Sequence, residues 1–158
     1  FAGAERVGIA VADAAIRALA SSDAFELEPR LAVRRARLLI PCRNRLFNLC
    51  WLAGRIDRPN LGGHLETEVS AVAVGGACIV GVPGELLPRP GREIAAAIGE
   101  RAMPLVTSLA DDELGYLISR EQWTDPRYGY ERGWSPGIEA ADLVVARSKQ
   151  LIRSLYGR

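Results

Sequence analysis

The feature that most narrows the folds open to this chain is a pair of strand patterns joined by two glycines. Leu65, Thr67, Val69, Ala71 and Ala73 alternate with Glu66, Glu68 and Ser70, the two-residue period of a strand with one face in a core. Gly75-Gly76 follows, and Ala77-Cys78-Ile79-Val80-Gly81-Val82 then runs without a polar side chain. Glycine supplies the positive φ of a tight hairpin turn. A strand with no polar face belongs in the middle of a sheet, covered on both sides. An all-helical bundle is thereby excluded.

Helical periods surround the hairpin. Val7, Ala10, Val11, Ala14, Ala18 and Leu19 predict a helix over residues 4–20, closed by Ser21, Ser22 and Asp23. Residues 27–40 read as a strand whose apolar phase slips at Arg34-Arg35, where a bulge would restore the register. A short helix is expected within 43–53, a loop at 58–63, a helix from about Pro90 to Arg101, and strands at Leu105–Thr107 and Gly115–Ile118. Residues 124–137 look irregular, and a closing helix over 138–156 carries Leu143, Val144, Ala146, Leu151, Ile152 and Leu155 on its apolar face. The expected class is α/β or α+β, with a mixed sheet around a central hairpin flanked by helices and residues 1–158 as a single unit.

Composition removes several functions. The 158 residues are 49% hydrophobic and 25% charged, globular values that exclude disorder, collagen and coiled coil. Twenty basic and nineteen acidic residues leave +1, no electrostatic drive toward nucleic acid. The arginines at 30, 34, 35, 37, 43, 45, 55 and 58 lack interleaved aromatics and read as a solvated or interface strand face. Glu66 and Glu68, on one strand face with no partner His, default to solvent. No apolar run approaches the ~20 residues of a membrane span. Cys42, Cys50 and Cys78 lack zinc-knuckle spacing and cannot all pair. Phe1 opens straight into a helical pattern without Met or leader, from which we expect the later part of something longer.

Two places could carry chemistry. Val82-Pro83-Gly84-Glu85 ends an apolar strand with a stiff residue and a permissive one, delivering a carboxylate at a strand's carboxyl end, where open sheets place ligands. Glu85 could equally face solvent or cap the next turn. Tyr116 follows an acidic turn, Asp111-Asp112-Glu113, and a glycine; alone it reads as a core aromatic. Tyr128 and Tyr130 sit in a stretch rich in aromatics and arginine, of a kind that lines sites and also packs surfaces. His64, the one histidine, lies in a Gly-Gly loop and reads as non-catalytic. Ser70, Ser108, Ser119 and Ser135 have no triad context.

Taken together, the hairpin ending in Pro83-Gly84-Glu85, the turn from Asp111 to Tyr116, and Tyr128 twelve residues further resemble the later half of the catalytic domain of neutral/alkaline ceramidases, over roughly residues 65–135. The resemblance implies that Glu85 and Tyr116 ligate a catalytic Zn²⁺ and that Tyr128 steadies the oxyanion as an N-acyl bond of a ceramide-like lipid is hydrolysed to fatty acid and amine. It implies that the two zinc His ligands and the nucleophilic Ser come from the remainder of the polypeptide or from a partner chain, since nothing in these residues matches them. It further implies an extracytoplasmic or membrane-surface setting and, as the chain closes on a helix, the short form without an immunoglobulin-like domain. The alternatives from the residues alone are a non-catalytic binding or assembly module that keeps the sheet, and a hydrolase of another N-acyl substrate.

Overall fold

The Gly75-Gly76 turn joins β2 (His64–Val74) to β3 (Ala77–Gly81) in a computed structural model that describes residues 1–22 and 26–157. Asp23, part of the polar stop expected after the first helix, lies outside the described residues. β1 (Leu31–Pro41) pairs antiparallel with β2, β2 with β3, and β3 runs parallel to β5 (Met103–Thr107), giving the order β1-β2-β3-β5. The parallel step is made by α3 (Pro88–Ile98) and a 3-10 turn, Gly99–Arg101. The molecule is mixed α/β, with the hairpin at the centre of the sheet as expected.

One face of the sheet is covered. α3 and α6 (Ala140–Tyr156) pack on it and on each other. Ile94, Ile98, Val144, Leu151 and Ile152 close over Leu38, Ile40, Val69, Ala71, Cys78 and Val80. The other face is open. Leu31, Val74, Ala77 and Met103 form one row across all four strands, and Val33, Val72, Ile79 and Leu105 the next. Leu31 is 67% exposed, Val33 45%, Met103 60% and Leu105 41%. β3 is thus central but covered on one side only, against the expectation of two.

The same geometry corrects the bulge. Register between β1 and β2 runs unbroken from Leu31↔Val74 to Pro41↔His64. The change of phase at Arg34-Arg35 arises because Leu31 and Val33 face the open side while Ala36, Leu38 and Ile40 face the core. Arg35 and Arg37 pair with Glu68 and Glu66 at 3.5 and 3.4 Å on that open side, so these arginines line a solvated strand face as expected.

Three further differences follow from capping and cover. The first helix, α1 (Ala2–Ala20), forms but buries no residue, because none of the described elements packs on its apolar stripe. α3 starts at Pro88, earlier than Pro90, since both prolines fall in the first turn, where amide hydrogens have no intrahelical partner. The stretch expected to be irregular follows α4 (Arg120–Trp123) and is itself partly helical, with a 3-10 turn at Pro126–Tyr128 and then α5 (Gly129–Gly133). Ser119 and Asp125 cap the first two, accepting from the Gln122 and Arg127 amides at 3.3 and 3.0 Å. α2 (Arg45–Leu52) forms where a short helix is expected, capped by Asn44. No described helix is long and apolar enough to cross a membrane.

Candidate metal centre

At Gly81 the chain leaves the sheet through Val82, Pro83 and Gly84, all buried. The Val82 amide donates to the Thr107 carbonyl at 3.0 Å, and the Val82 carbonyl accepts from Gly84 and Ala110 at 3.1 and 3.0 Å. Gly84 lies so close to a second segment that a Cβ there would stand 2.5 Å from the Gly115 carbonyl oxygen. That oxygen accepts from the Glu85 amide at 2.9 Å. A buried apolar anchor therefore hands an exposed carboxylate to the surface.

The opposing segment is the acidic turn, and its charges are spent on structure. Asp111 Oδ2 accepts from Ser70 Oγ at 2.5 Å; Asp112 accepts from Thr67 Oγ1 at 2.7 Å and from Arg58 Nη2 at 2.5 Å. Two hydroxyls of β2 thus hold the turn to the main sheet. Leu109 and Asp111 adopt φ of 54° and 69°, a conformation that persists only where surroundings enforce it. The Leu109 amide donates to the Gly84 carbonyl at 3.1 Å. Gly115 has φ 79°, and a Cβ on it would overlap the Trp134 carbonyl oxygen, which accepts from the Tyr116 amide at 2.9 Å.

These bonds create a two-residue parallel ladder between β4 (Glu85–Leu86) and β6 (Tyr116–Leu117), with Glu85 opposite Tyr116. Residues in register across parallel strands project from the same face, so carboxylate and phenol meet. The Tyr116 hydroxyl donates to the Glu85 carboxylate, and that bond is the first cause raising its pKa above 10.0, followed by burial and the charges of Glu85, Tyr130 and Glu131. Tyr130 meets the Tyr116 ring edge-on, centroids 5.8 Å apart and planes at 68°. Glu131, next in sequence, has a buried Oε2 without a hydrogen-bond partner.

Of the three residues singled out, the structure brings Glu85 and Tyr116 together. Tyr128, half-buried at the end of its 3-10 turn, makes no hydrogen bond, ring contact or ion pair with either among the described residues. Tyr130, which was not singled out as a site residue, is the tyrosine whose ring meets that of Tyr116. Glu131 carries no sequence signal that would have marked it. His64 opens β2, its Nδ1 3.1 Å from the Gly62 carbonyl oxygen. Ser70 is tied to Asp111, Ser119 caps α4, and Ser108 Oγ accepts from the Leu86 amide at 3.2 Å.

Zn²⁺ takes four donors at about 2.0–2.3 Å and accepts carboxylate oxygen. A nearby cation also favours ionisation of a group that would otherwise stay protonated. Glu85 and Tyr116 fit half of such a shell, two oxygens side by side near an unpartnered third at Glu131. Among the described residues no group of three or more His, Cys, Asp and Glu could hold a metal ion.

No protein-family model matches the chain, and no curated protein matches it. Among solved structures, the crystal structure of neutral ceramidase from Pseudomonas aeruginosa matches with a TM-score of 0.42 and 19% identity, over 56% of this chain and 16% of that one. The chain thus spans 16% of the length of that protein, and a superposition this loose carries no argument about chemistry.

Proposed function

We propose that this chain supplies part of a zinc-dependent amide hydrolase centre, with Glu85 and Tyr116 as metal ligands and Tyr128 as an oxyanion donor. The substrate would be an N-acyl lipid such as ceramide; its amide C–N bond breaks, water is added, and a fatty acid and an amine leave. The observation that carries the proposal is the registered Glu85–Tyr116 pair, found where the order and spacing of Pro83-Gly84-Glu85, Tyr116 and Tyr128 place the ligands in the resemblance. When bound, the metal would supply Lewis acidity toward a carbonyl or a water. The chain's own residues would present two oxygens from the β4–β6 ladder, and the Tyr116 proton would pass to bulk water as the phenol binds the cation. A phenol at Tyr128 would donate toward charge developing on the carbonyl oxygen.

A competing reading, a binding or assembly module without catalysis, draws on the donor count: the oxygens of Glu85 and Tyr116 and a single histidine in the sequence. The two separate in one experiment on the full-length protein. Glu85→Gln and Tyr116→Phe should each lower zinc content and N-acyl hydrolysis together. Tyr128→Phe should keep its zinc and lose about a hundredfold in rate, the size of one oxyanion donor. Wild-type metal content and wild-type rate in the two ligand variants would refute the proposal.

A further inference from the structure

Two apolar surfaces of this chain lack a covering layer, and they are of complementary kind. One is the open face of the four-stranded sheet, where two apolar rows cross every strand and the edge residues Leu31 and Met103 are 67% and 60% exposed. Arg35 and Arg37, paired with Glu68 and Glu66, bound the apolar area along β1 and β2. A sheet face of this kind ordinarily carries a layer of helix. The other surface is α1, which buries no residue. Of its 19 residues only Glu5, Arg6, Asp13 and Arg17 are charged, and a helix so nearly apolar all round belongs under cover. Helical spacing puts Ala4, Val7, Val11, Ala14 and Ala18 on one side and the four charged residues on the other, with Ile9 and Ile16 between them. The first side is shallow, so the helix can lie close on a sheet.

The chain is poorly built to join these surfaces within one copy. The Gly75 amide donates to the Arg30 carbonyl at 3.0 Å, and a Cβ on Gly75 would overlap the Glu26 carboxylate. The segment before β1 is therefore held against the hairpin turn as far back as Glu26. Five residues, 21–25, then separate that anchor from the end of α1, a reach of at most about 18 Å. A short connector favours exchange of an element between two copies over closure within one.

We propose that two copies of this chain associate, with α1 of each laid on the open sheet face of the other. The area suffices. The chain exposes about 2,400 Å² more than a compact monomer of its mass, and a stable interface takes about 800 Å² from each partner. The arrangement closes on itself, since every helix finds a face and every face a helix. The charged side of α1 stays in water. The association does not depend on metal at Glu85 and Tyr116.

Sedimentation equilibrium of the full-length protein from about 0.1 to 100 μM tests it. A reversible monomer–dimer equilibrium is expected. At the dilute end both surfaces are bare, and the α1 amides should exchange with deuterium more slowly as the dimer fills. Val33→Lys with Leu105→Lys spoils the face, and Val7→Lys with Val11→Lys spoils the helix; each pair should weaken association by about a hundredfold or more. All four side chains are exposed, so the variants should fold, which far-ultraviolet circular dichroism checks. A mixture of the two variants should dimerise where neither does alone, because it keeps one intact helix and one intact face on different chains. A monomer at every concentration would overturn the proposal, since α1 or another part of the same molecule then covers the sheet. Association that survives the helix variant would overturn it as well, and so would a mixture no better than its components.

Discussion

Tyr116 is the residue on which the candidate centre can be read directly. Its phenol keeps its proton to higher pH than an ordinary tyrosine, chiefly because it donates to the Glu85 carboxylate. In an alkaline titration followed by phenolate absorbance it should ionise above its ordinary value, and Glu85→Gln should bring it back toward that value. The sign for stability follows. The folded protein holds this proton where the unfolded chain has released it, so the contribution is complete below the ordinary tyrosine pKa and is lost as pH rises through the raised one. Tyr116→Phe should therefore flatten the alkaline limb of a stability–pH curve, measured by denaturant unfolding. Gly115 behind it is equally exposed to test. With φ 79° and the Trp134 carbonyl where a Cβ would go, Gly115→Ala should cost at least about 1–3 kcal/mol in denaturant midpoint analysis. The pairing of Glu85 with Tyr116 was legible only through motif order; Tyr130 and Glu131 were not, because side chains brought close by a succession of short helical turns leave no periodic mark.

Among elements, the acidic turn and α1 are opposites. The turn reads in sequence only as acidic; in the structure Asp112 receives bonds from Thr67 and from Arg58, whose side chains are 6% and 25% exposed. Asp112→Ala removes both and should destabilise by about 2 kcal/mol, the size of a hydrogen bond to a charged group with partners left behind. The check is the urea midpoint at unchanged m-value. α1 is clear in sequence and buries nothing. Isolated helices draw little stability from propensity alone, so its amides should exchange with deuterium far faster than those of α6, whose buried face includes Val144, Leu151 and Ile152. The sheet and both core helices were legible because their periods are long and clean. The bulge and the irregular stretch were misread because a strand can be apolar on alternate faces along its length, and because Asp125 and Pro126 start a helical turn too short to show a period.

For the molecule as a whole, surface is the telling quantity. It exposes 10180 Å², against roughly 7,800 Å² for a compact monomer of this mass. Part of the excess is α1, and part is the open sheet face with its two apolar rows. A patch of that kind should bind 1-anilinonaphthalene-8-sulfonate in the native state, and Val33→Lys with Leu105→Lys should abolish most of the fluorescence while raising solubility. Sequence showed that β3 is apolar on both sides; what covers each side is long-range information it does not carry. The ladder between β4 and β6 has the same origin. With two rungs it has no grip of its own, and a slip of one place would turn the carboxylate to the opposite side. Its alignment is borrowed from backbone atoms at positions 84, 115 and 134, so variation that spares both oxygens but disturbs those three peptides would silence the pair as surely as deleting it.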